Sequence, residues 1–420
     1  MPASAIVTEP FAATARMTAA TWGMPDYPYV TISHPISDNG GDQLRDKAHD
    51  ALTQAMRYLV ARDEPAVNTP FEVEPSRTSG LAEDVEVPNM EAAIETFFAR
   101  GWTDGLPVVP PTRERVKIFL DAVGLGPGDI IAEEPVRRRR LTADKVAINT
   151  VMAGCVPEHM TVIIAALRAM CAPEFNLHGS SASTGGSAIF AVVNGPIRRE
   201  LGMNATQNVF ANGNRANATI GRALRLIIVN MLGGVPGEFD RSTLGHPGKF
   251  TFCIAEDEEG TPWRALAQER GVTEGRSAVT VMACESPHQI MNEWTQDPKE
   301  ILDTFVAAIR GNMLTYSLWA GNYALVIPKQ LRDILIKAGW AKQDVRQYVY
   351  DHAVVFRREW RAAGKSVVVS SENEDKEYRA LRSPDDLLVI AAGGPAGGFG
   401  AIIPPWLGNK ALAVTQPVEW

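Results

Sequence analysis

The chain has 420 residues, 45% of them hydrophobic and 21% charged, with a formal net charge of −8. This length allows two or three domains with their own cores, and the acidic balance argues against a nucleic-acid partner. No apolar run reaches the roughly 18 residues that a membrane span needs, and the N-terminus lacks a signal-peptide pattern. We therefore expect a soluble, cytoplasmic protein that makes no membrane contact and whose four cysteines are free thiols.

The first 60 residues predict a partial α/β segment with the order strand–helix–strand–helix. Ala5–Val7 and Tyr29–Ile32 are short apolar strand candidates, and Phe11–Gly23 has helical spacing. Gly41–Leu59 carries the regular apolar stripe of an amphipathic helix. Because no nucleotide-binding fingerprint precedes these elements, they are not expected to form a complete doubly wound sheet.

Two stretches of this segment carry a family resemblance: IVTEPF, which starts at Ile6, and MPDYPYVTISHPISDNGGDQLRDKAHDAL, which starts at Met24. They resemble the C-terminal part of the UGSC family of (seleno)proteins and, more remotely, the end of the selenoprotein subunit of glycine reductase. In those families a Cys/Sec-Gly-Ser-Cys motif lies upstream of this part. The chain starts after the place for such a motif, so the resemblance implies that the reactive pair comes from another polypeptide or has been lost.

The remaining chain is predicted to form a Pro-rich linker over residues 64–87 and a large mixed α/β domain over residues 88–420 that is catalytic or binds substrate. Residues 1–63 are then the UGSC-like segment. Three stretches of the large domain, GWTDGLPVVPPT, KVAINTVMAGCVPEHM and NRANATIGRALRLIIVN, resemble parts of an uncharacterised domain that accompanies UGSC-type proteins.

Helical stretches and β-branched apolar runs alternate along this domain, which predicts a sheet with covering helices. The helix candidates are Met90–Arg100, Thr112–Val123, Thr261–Arg270, Lys299–Gly311, Lys329–Ala338 and Lys342–Ala362. The strand candidates are Ala188–Val193, Lys249–Ala255, Ala278–Ala283, Tyr323–Ile327, Ser366–Ser370 and Leu387–Ala392.

Cys155 is the first candidate nucleophile. Thr142 is predicted to cap a helix that ends just before the cysteine, and Pro157 suits the first position of the next helix. The thiol would then stand at a helix N-terminus, where the dipole favours the thiolate and lowers the pKa. Glu158 and His159 would lie within reach for proton transfer. The alternative is that Cys155 is a small buried residue before a turn.

The segment from His178 to Ser187 reads HGSSASTGGS and is predicted to be a loop. Its backbone N–H groups and its hydroxyls, including those of Ser180 and Ser181, can bind an anion, and His178 can transfer a proton. The segment lacks the Gly-Lys-Ser/Thr ending of a P-loop. The alternative is a flexible surface loop.

The stretch from residue 204 to residue 222 concentrates asparagines and arginines. Asn217 is predicted to cap a helix over Ala218–Leu232, and arginines near a helix start favour a carboxylate or phosphate. The alternative for the asparagines is turn chemistry. The substrate-binding candidates here, with the asparagine that ends the preceding strand, are Asn194, Asn214, Arg215, Asn217 and Arg222.

Four further residues complete the candidate set. Asp104 lies in a Pro-rich loop and is a possible second carboxylate of the cleft, and Gly394 begins a glycine-rich loop predicted to line the substrate. Cys284 and His288 are secondary candidates, either as nucleophile and base or as two metal ligands. Because no further ligands have recognisable spacing and no dinucleotide fingerprint is present, we predict no metal and no cofactor.

These residues predict a subunit of a thiol-dependent lyase, transferase or reductase that acts on a small anionic substrate. Cys155 would be the nucleophile, and Glu158, His178 and Asp104 the proton-transfer and carboxylate groups. The resemblance implies a carbon–heteroatom bond, carbon–sulfur first, and a hetero-oligomer with a small subunit that carries the Cys-Gly-Ser-Cys motif. Two alternatives are a non-catalytic scaffold that binds a thiol-bearing partner and a metal-assisted hydrolase.

Overall fold

The computed structural model describes residues 4–36, 39–60, 84–316, 319–365 and 373–419. The chain divides into two compact units, Met1–Ser79 with Val235–Phe239 and Gly80–Gly234 with Asp240–Trp420. Both combine helices with small sheets, so the predicted α/β class is confirmed. Of the predicted linker over residues 64–87, residues 64–83 lie outside the described residues.

The smaller unit contains the predicted order of strand, helix, strand and helix. Its elements are β1 (Ala5–Thr8), α1 (Ala12–Thr21), β2 (Tyr29–Ile32) and α2 (Gly41–Leu59). β1 and β2 pair in parallel, with Ala5 opposite Tyr29. The apolar stripe of α2 supplies Ala51 to a small core with Val30 and Ile32 of β2, which explains why an amphipathic helix follows this strand.

The larger unit contains the remaining elements. Its helices are α3 (Met90–Ala99), α4 (Arg113–Val123), α5 (Ala143–Met152), α6 (Met160–Met170), α7 (Leu177–Ala182), α8 (Ile197–Glu200), α9 (Arg215–Asn230), α10 (Leu266–Glu269), α11 (Pro298–Thr315), α12 (Lys329–Lys337), α13 (Lys342–His352) and α14 (Arg357–Ala362). Its strands are β3 (Ile130–Glu134), β4 (Arg139–Thr142), β5 (Ala188–Asn194), β6 (Cys253–Ala255), β7 (Ala278–Cys284), β8 (His288–Met291), β9 (Ala324–Ile327), β10 (Val354–Phe356), β11 (Glu377–Arg379), β12 (Leu388–Ala391), β13 (Phe399–Ile403) and β14 (Val414–Pro417).

Two mixed four-stranded sheets organise this unit. One has the order β14-β7-β5-β6 and the other the order β12-β9-β13-β8, while β3–β4 and β10–β11 are separate two-stranded pairs. β5 is parallel to β6 and antiparallel to β7, with Ala188 opposite Cys284. Six of the seven residues of β5 are buried, as expected for an interior strand covered on both faces.

The helix α9 packs against the residues that lead into β6. A Cβ atom built on Gly221 would lie 2.8 Å from the backbone nitrogen of Phe252, so only a residue without a side chain fits at this approach. The neighbouring helix α6 is apolar and buried along its whole length except at Arg168. Together α6 and α9 belong to the largest core cluster of the unit.

Several predicted elements are shorter or interrupted. The helix predicted over Lys342–Ala362 is broken by β10, because Val354–Phe356 pair with β11. The helix predicted over Thr261–Arg270 is limited to the one turn of α10. The strand predicted over Lys249–Ala255 begins only at Cys253, and a 3-10 turn, Pro247–Lys249, precedes it. The strand predicted over Ser366–Ser370 lies outside the described residues.

Among the described residues, no single helix combines the length and the apolar character that a membrane crossing requires. Two helical segments joined at a bend, residues 157–170 and 173–182, are together long and apolar enough for a crossing, by length and composition alone.

Candidate anion-binding site

One pocket of the larger unit collects polar side chains from three parts of the chain. It lies at the amino-terminal end of β5, beside α9, and encloses about 420 Å³, including the part open to solvent. Ala188, Ile189 and Ile228 provide apolar walls. The polar and charged lining residues are Ser180, Ser181, Ser187, Arg225, Asp240 and Lys249. A concave site of mixed apolar walls and a few convergent polar groups is typical of ligand pockets.

Asp240 joins the two cations of this pocket. Its carboxylate accepts hydrogen bonds from Arg225 Nη2 at 2.8 Å and from Lys249 Nζ at 2.7 and 3.0 Å. The hydroxyl of Ser242 donates to Asp240 at 2.6 Å and accepts from Lys249 at 2.7 Å. Two cations thus face one carboxylate, and the cluster carries one net positive charge.

The pKa values follow from this arrangement. Burial alone would raise the pKa of Asp240, but hydrogen bonds from Lys249 and Ser242 and the charges of Lys249 and Arg225 lower it. Burial lowers the pKa of Lys249, and the bond to Asp240 opposes that effect. Asp240 is therefore an ionised counter-ion.

Ser187 brings an unpaired hydroxyl to the pocket. The residue is 8% exposed, and its Oγ has no hydrogen-bond partner among the described residues. The hydroxyls of Ser180 and Ser181 instead donate to the carbonyls of Leu177 and His178 within α7. An unpaired buried hydroxyl costs free energy that a ligand with a hydrogen-bonding atom would recover.

The predicted loop from His178 to Ser187 is helical in its first half, because α7 extends to Ala182. The second half packs closely on the segment that carries the charged cluster. Thr243 N donates to Thr184 O at 2.9 Å, and a Cβ atom on Gly186 would lie 2.6 Å from Gly245 Cα. Glycine is required at this approach of two backbones.

Glu285 lies at the same edge of the sheet. Because Ala188 pairs with Cys284 in antiparallel register, the next residues outward are Ser187 on one strand and Glu285 on the other. Tyr316 Oη donates to Glu285 Oε1 at 2.5 Å. Burial raises the pKa of Glu285, although the Tyr316 hydrogen bond and the charge of Lys249 lower it in part.

The predicted activation of Cys155 is wrong. The thiol precedes a 3-10 turn, Pro157–His159, and is only 6% exposed. Burial raises the pKa of Cys155 to about 12, and a hydrogen bond with Thr219 and the charges of two arginines lower it only in part. Desolvation of the thiolate therefore outweighs the expected helix effect. The role of Cys155 as a nucleophile stays a prediction.

Glu158 and His159, both expected within reach of Cys155, have different surroundings. Glu158 is exposed, whereas His159 is buried and its Nδ1 lies 3.3 Å from Thr219 Oγ1. Burial lowers the pKa of His159 to about 4, so the imidazole is neutral near pH 7. Thr219, rather than Glu158, is the polar neighbour shared by Cys155 and His159.

His178 has surroundings different from those of Cys155. Burial lowers the pKa of His178, the charge of Arg137 acts in the same direction, and Glu134 opposes both. The charges that act on Cys155 are those of Arg215 and Arg222. Different charged side chains therefore act on the two predicted catalytic groups, Cys155 and His178.

Asp104 and Arg222 neutralise each other. Arg222 donates to both carboxylate oxygens of Asp104, through Nε at 2.7 Å and Nη2 at 2.8 Å, and Nη2 also donates to Pro107 O at 2.8 Å. The side chains are 5% and 16% exposed, respectively, and neither lines the pocket described above. This bidentate pair connects the Pro-rich loop to α9. The predicted catalytic role of Asp104 and the substrate-binding role of Arg222 stay predictions.

Asn214 caps α9, and the predicted cap at Asn217 is wrong. Asn214 Oδ1 accepts from Asn217 N at 3.0 Å, so the helix begins at Arg215. The buried side chain of Asn217 instead accepts from Asn204 N at 3.0 Å and donates to Asn204 O at 2.8 Å. Both asparagines satisfy backbone groups of the turn before the helix.

Arg215 and Gly394 also contact the protein's own backbone and loops. Arg215 donates to Gly154 O through Nε at 3.0 Å and Nη2 at 2.8 Å, which fixes the loop before Cys155. A Cβ atom on Gly394 would lie 2.8 Å from Gln207 Cγ, so this glycine allows two loops to pack together. Neither residue lines the pocket.

Asn194 belongs to a buried charged network at the opposite end of β5. Its Nδ2 donates to Glu256 at 2.7 Å and to Glu258 at 2.9 Å. Glu256 also forms an ion pair with Lys342 at 2.8 Å, and both side chains are nearly inaccessible. The charges of this network are paired, as buried charges require, whereas Asn194 Oδ1 has no hydrogen-bond partner among the described residues.

Cys284 and His288 do not come together as a pair. Cys284 ends β7 in one sheet, whereas His288 begins β8 in the other and is exposed. Burial raises the pKa of Cys171 and Cys253 to about 12 and that of Cys284 further. Within the described part of the chain, no group of three or more His, Cys, Asp or Glu side chains is arranged to hold a metal ion.

The N-terminal segment of the chain, with its β1-α1-β2-α2 order, can now be compared with known proteins. Residues 1–61 match the family model of the UGSC family. No curated protein matches the chain. The UGSC match confirms the resemblance of the N-terminal segment, and the pocket lies outside the matched residues.

Sequence reasoning missed all three charged residues of the pocket lining, Arg225, Asp240 and Lys249. Arg225 follows Gly221 by one helical turn, a spacing that places both on one face of α9. Asp240, Ser242 and Lys249 stand in a Gly- and Pro-containing segment, DRSTLGHPGK. The charged and hydroxyl residues of this segment could have indicated a polar site, but only the fold brings the segment to the same pocket as Ser187.

Proposed function

We propose that the larger unit binds a small anionic substrate in the pocket at the amino-terminal end of β5. The observation that carries this proposal is the charged cluster in which Arg225 and Lys249 face Asp240 beside the unpaired hydroxyl of Ser187. Only Nη2 of the Arg225 guanidinium bonds to Asp240, so further N–H groups are available to a ligand. Such donors are well suited to a carboxylate.

The reaction that we propose is thiol-dependent cleavage or formation of a carbon–heteroatom bond, with carbon–sulfur first. A thiolate sulfur would bond to the substrate carbon, the bond from that carbon to the heteroatom would break, and the leaving group would take up a proton. The support for thiol chemistry is the match of residues 1–61 to the UGSC family. The support for the anionic substrate is the pocket itself.

The thiolate is proposed to come from a partner polypeptide that carries a Cys-Gly-Ser-Cys motif. All four thiols of this chain are buried, and burial raises the pKa of each. A thiolate at such a position is strongly disfavoured near pH 7. A hetero-oligomer in which this chain holds the substrate and the partner supplies the sulfur agrees with both observations.

Anion binding tests this proposal. Calorimetric titration with propionate is expected to give saturable binding that is weakened by about tenfold or more in Arg225→Met and in Lys249→Met, because the first loses a charge-assisted hydrogen bond to the anion and both lose a positive charge beside it. The matched control is Lys117→Met, which removes an exposed lysine of α4 paired only with Asp121. Circular dichroism verifies that each variant is folded.

Equal binding by Arg225→Met, Lys249→Met and Lys117→Met would reject the pocket as the anion site. Absence of binding to the wild-type chain, with propionate and with sulfate, would reject the proposed substrate class.

A further inference from the structure

The charge of Lys249 acts on two carboxyl groups. It is hydrogen-bonded to Asp240 through both oxygens, and it interacts electrostatically with Glu285. Asp240 is neutralised by direct contact with two cations. Glu285 is not: its direct side-chain partner is the neutral hydroxyl of Tyr316.

Glu285 stands against the loop that lines the pocket. The ladder of β5 and β7 ends at the pair Ala188–Cys284, and Ser187 and Glu285 are the residues that come next beyond this pair. A Cβ atom on Gly185 would lie 2.8 Å from Tyr316 Oη, so Tyr316 touches the same loop. Glu285 and Tyr316 do not line the pocket themselves, but Tyr316 lies beside the loop that contributes Ser187 to the lining.

Within the described part of the chain, no cationic side chain forms an ion pair with Glu285, whose direct partner is Tyr316. Lys249 is committed to Asp240 and Ser242, and Tyr316 is a neutral donor. His246 Nε2 lies 3.4 Å from the carbonyl of Cys284, but burial and Lys249 lower the pKa of its imidazole. The Arg225–Lys249–Asp240 cluster that lines the pocket offers a ligand one net positive charge, and the negative charge of Glu285 lies outside that lining.

From this arrangement we infer that the pocket accepts a singly charged carboxylate and that Glu285, positioned by Tyr316, excludes ligands with a second negative charge. The inference rests on the proposed function and names the substrate class of the same site. A monocarboxylate neutralises the charged cluster. A dicarboxylate or sulfate would place its second charge near an uncompensated carboxyl group, at a repulsive energy that the half-buried surroundings increase.

The test compares propionate with succinate and sulfate at constant ionic strength, at about pH 8, where carboxyl groups ionise most fully. We expect the wild-type chain to bind propionate about tenfold more tightly than either dianion. Glu285→Gln is expected to reduce this preference by about threefold or more, because the repelling charge is gone. Tyr316→Phe is a second variant with the same expected direction and a smaller effect, since without the donor Glu285 ionises less. Glu114→Gln, on the exposed face of α4, is the control and should keep the wild-type preference.

Each result separates the inference from the proposed function. Tighter binding of succinate or sulfate than of propionate to the wild-type chain would overturn the inference and leave the anion site standing. An unchanged preference in both Glu285→Gln and Tyr316→Phe would overturn the role of Glu285. Binding of none of the three anions would overturn the proposed function, and the inference with it.

Discussion

The Cys155 thiol is 6% exposed, and burial raises its pKa to about 12. Its polar contacts come from α9, through Thr219 and the charge of Arg215. A thiol must lose its proton before its sulfur can attack carbon. Burial disfavours the Cys155 thiolate because it removes the negative charge from water. The charges of Arg215 and Arg222 lower the pKa only in part, because the effect of burial is larger.

Thiol alkylation tests this account of the four cysteines. In the native protein we expect N-ethylmaleimide to modify them at least about a hundredfold more slowly than in unfolded protein, because burial limits access and raises each pKa. The rate should rise only toward high pH. Mass spectrometry of timed samples measures it, with guanidinium-unfolded protein as the control. Rapid modification of Cys155 below about pH 7 would restore it as the nucleophile.

Local sequence rules correctly predicted that a helical turn begins at Pro157. The lowered pKa that they predicted for the nearby Cys155 thiol is wrong. The burial of Cys155 depends on α9, whose first residue lies 60 positions further along the chain. Asp104 was predicted as a carboxylate of the cleft and Arg222 as part of an anion clamp, but their mutual contact, which spans 118 residues, was not predicted. Pairing over such distances leaves no periodic signal, so residue type alone cannot separate a ligand clamp from an internal ion pair.

Two residues on one face of α9 relate the packing of this helix to the lining of the pocket. Gly221 makes the close approach to Phe252, and Arg225 stands one turn later in the pocket lining. Moving the helix away from the sheet would displace the guanidinium from Asp240. The position of the cation is therefore determined by a glycine.

Substitution of this glycine is expected to destabilise the chain. Gly221→Ala should lower the free energy of unfolding by about 1–3 kcal/mol, because the added methyl group overlaps backbone atoms that cannot move freely. Gly311→Ala in α11 is the matched control, since a Cβ atom there meets nothing within 4 Å. That control should be neutral or stabilising by up to about 1 kcal/mol. Urea denaturation measures both, and equal effects would contradict the proposed close approach.

Amphipathic helices were predictable because their signal is local. The bounds of α2 agree with the prediction, and β2 agrees as well. The helix predicted over Lys342–Ala362 failed because Val354–Phe356 satisfy their backbone groups with β11, more than 20 residues away. β13 was missed because its glycine- and proline-flanked sequence reads as a loop until β8 and β9 pair with it.

One buried carboxylate connects the two large sheets. Glu256, just after β6, accepts hydrogen bonds from Asn194 at the end of β5 and from Ala391 N in β12. Lys342 of α13 supplies the opposite charge at 2.8 Å. The two sheets therefore share this paired charge, and its loss would affect both cores together.

Removal of the lysine is expected to be severe. Lys342→Met should reduce the free energy of unfolding by about 3–5 kcal/mol, because it leaves the buried Glu256 without its cation. Lys329→Met, which breaks an exposed pair with Asp333 in α12, is the control and should cost less than about 1 kcal/mol. Chemical denaturation at neutral pH compares them.

The pH dependence has a definite sign. Burial raises the pKa of Glu256, but the charge of Lys342 and several hydrogen bonds lower it, and the pKa lies below its usual value. A depressed carboxyl pKa contributes stability that is complete above the unfolded-state value and is lost as the pH falls through the folded-state value. Acid should therefore destabilise the wild-type chain more than Lys342→Met, and a parallel loss in both would contradict the pairing.

Asp240 orients Arg225 and Lys249 before any ligand arrives, and Lys249 uses its three donors on Asp240 and Ser242. An entering anion meets cations that need little rearrangement, which keeps the entropic cost of immobilising long side chains low. Association should then be a single fast step governed by diffusion into the pocket. Differences between ligands would appear in their residence times rather than in their rates of capture.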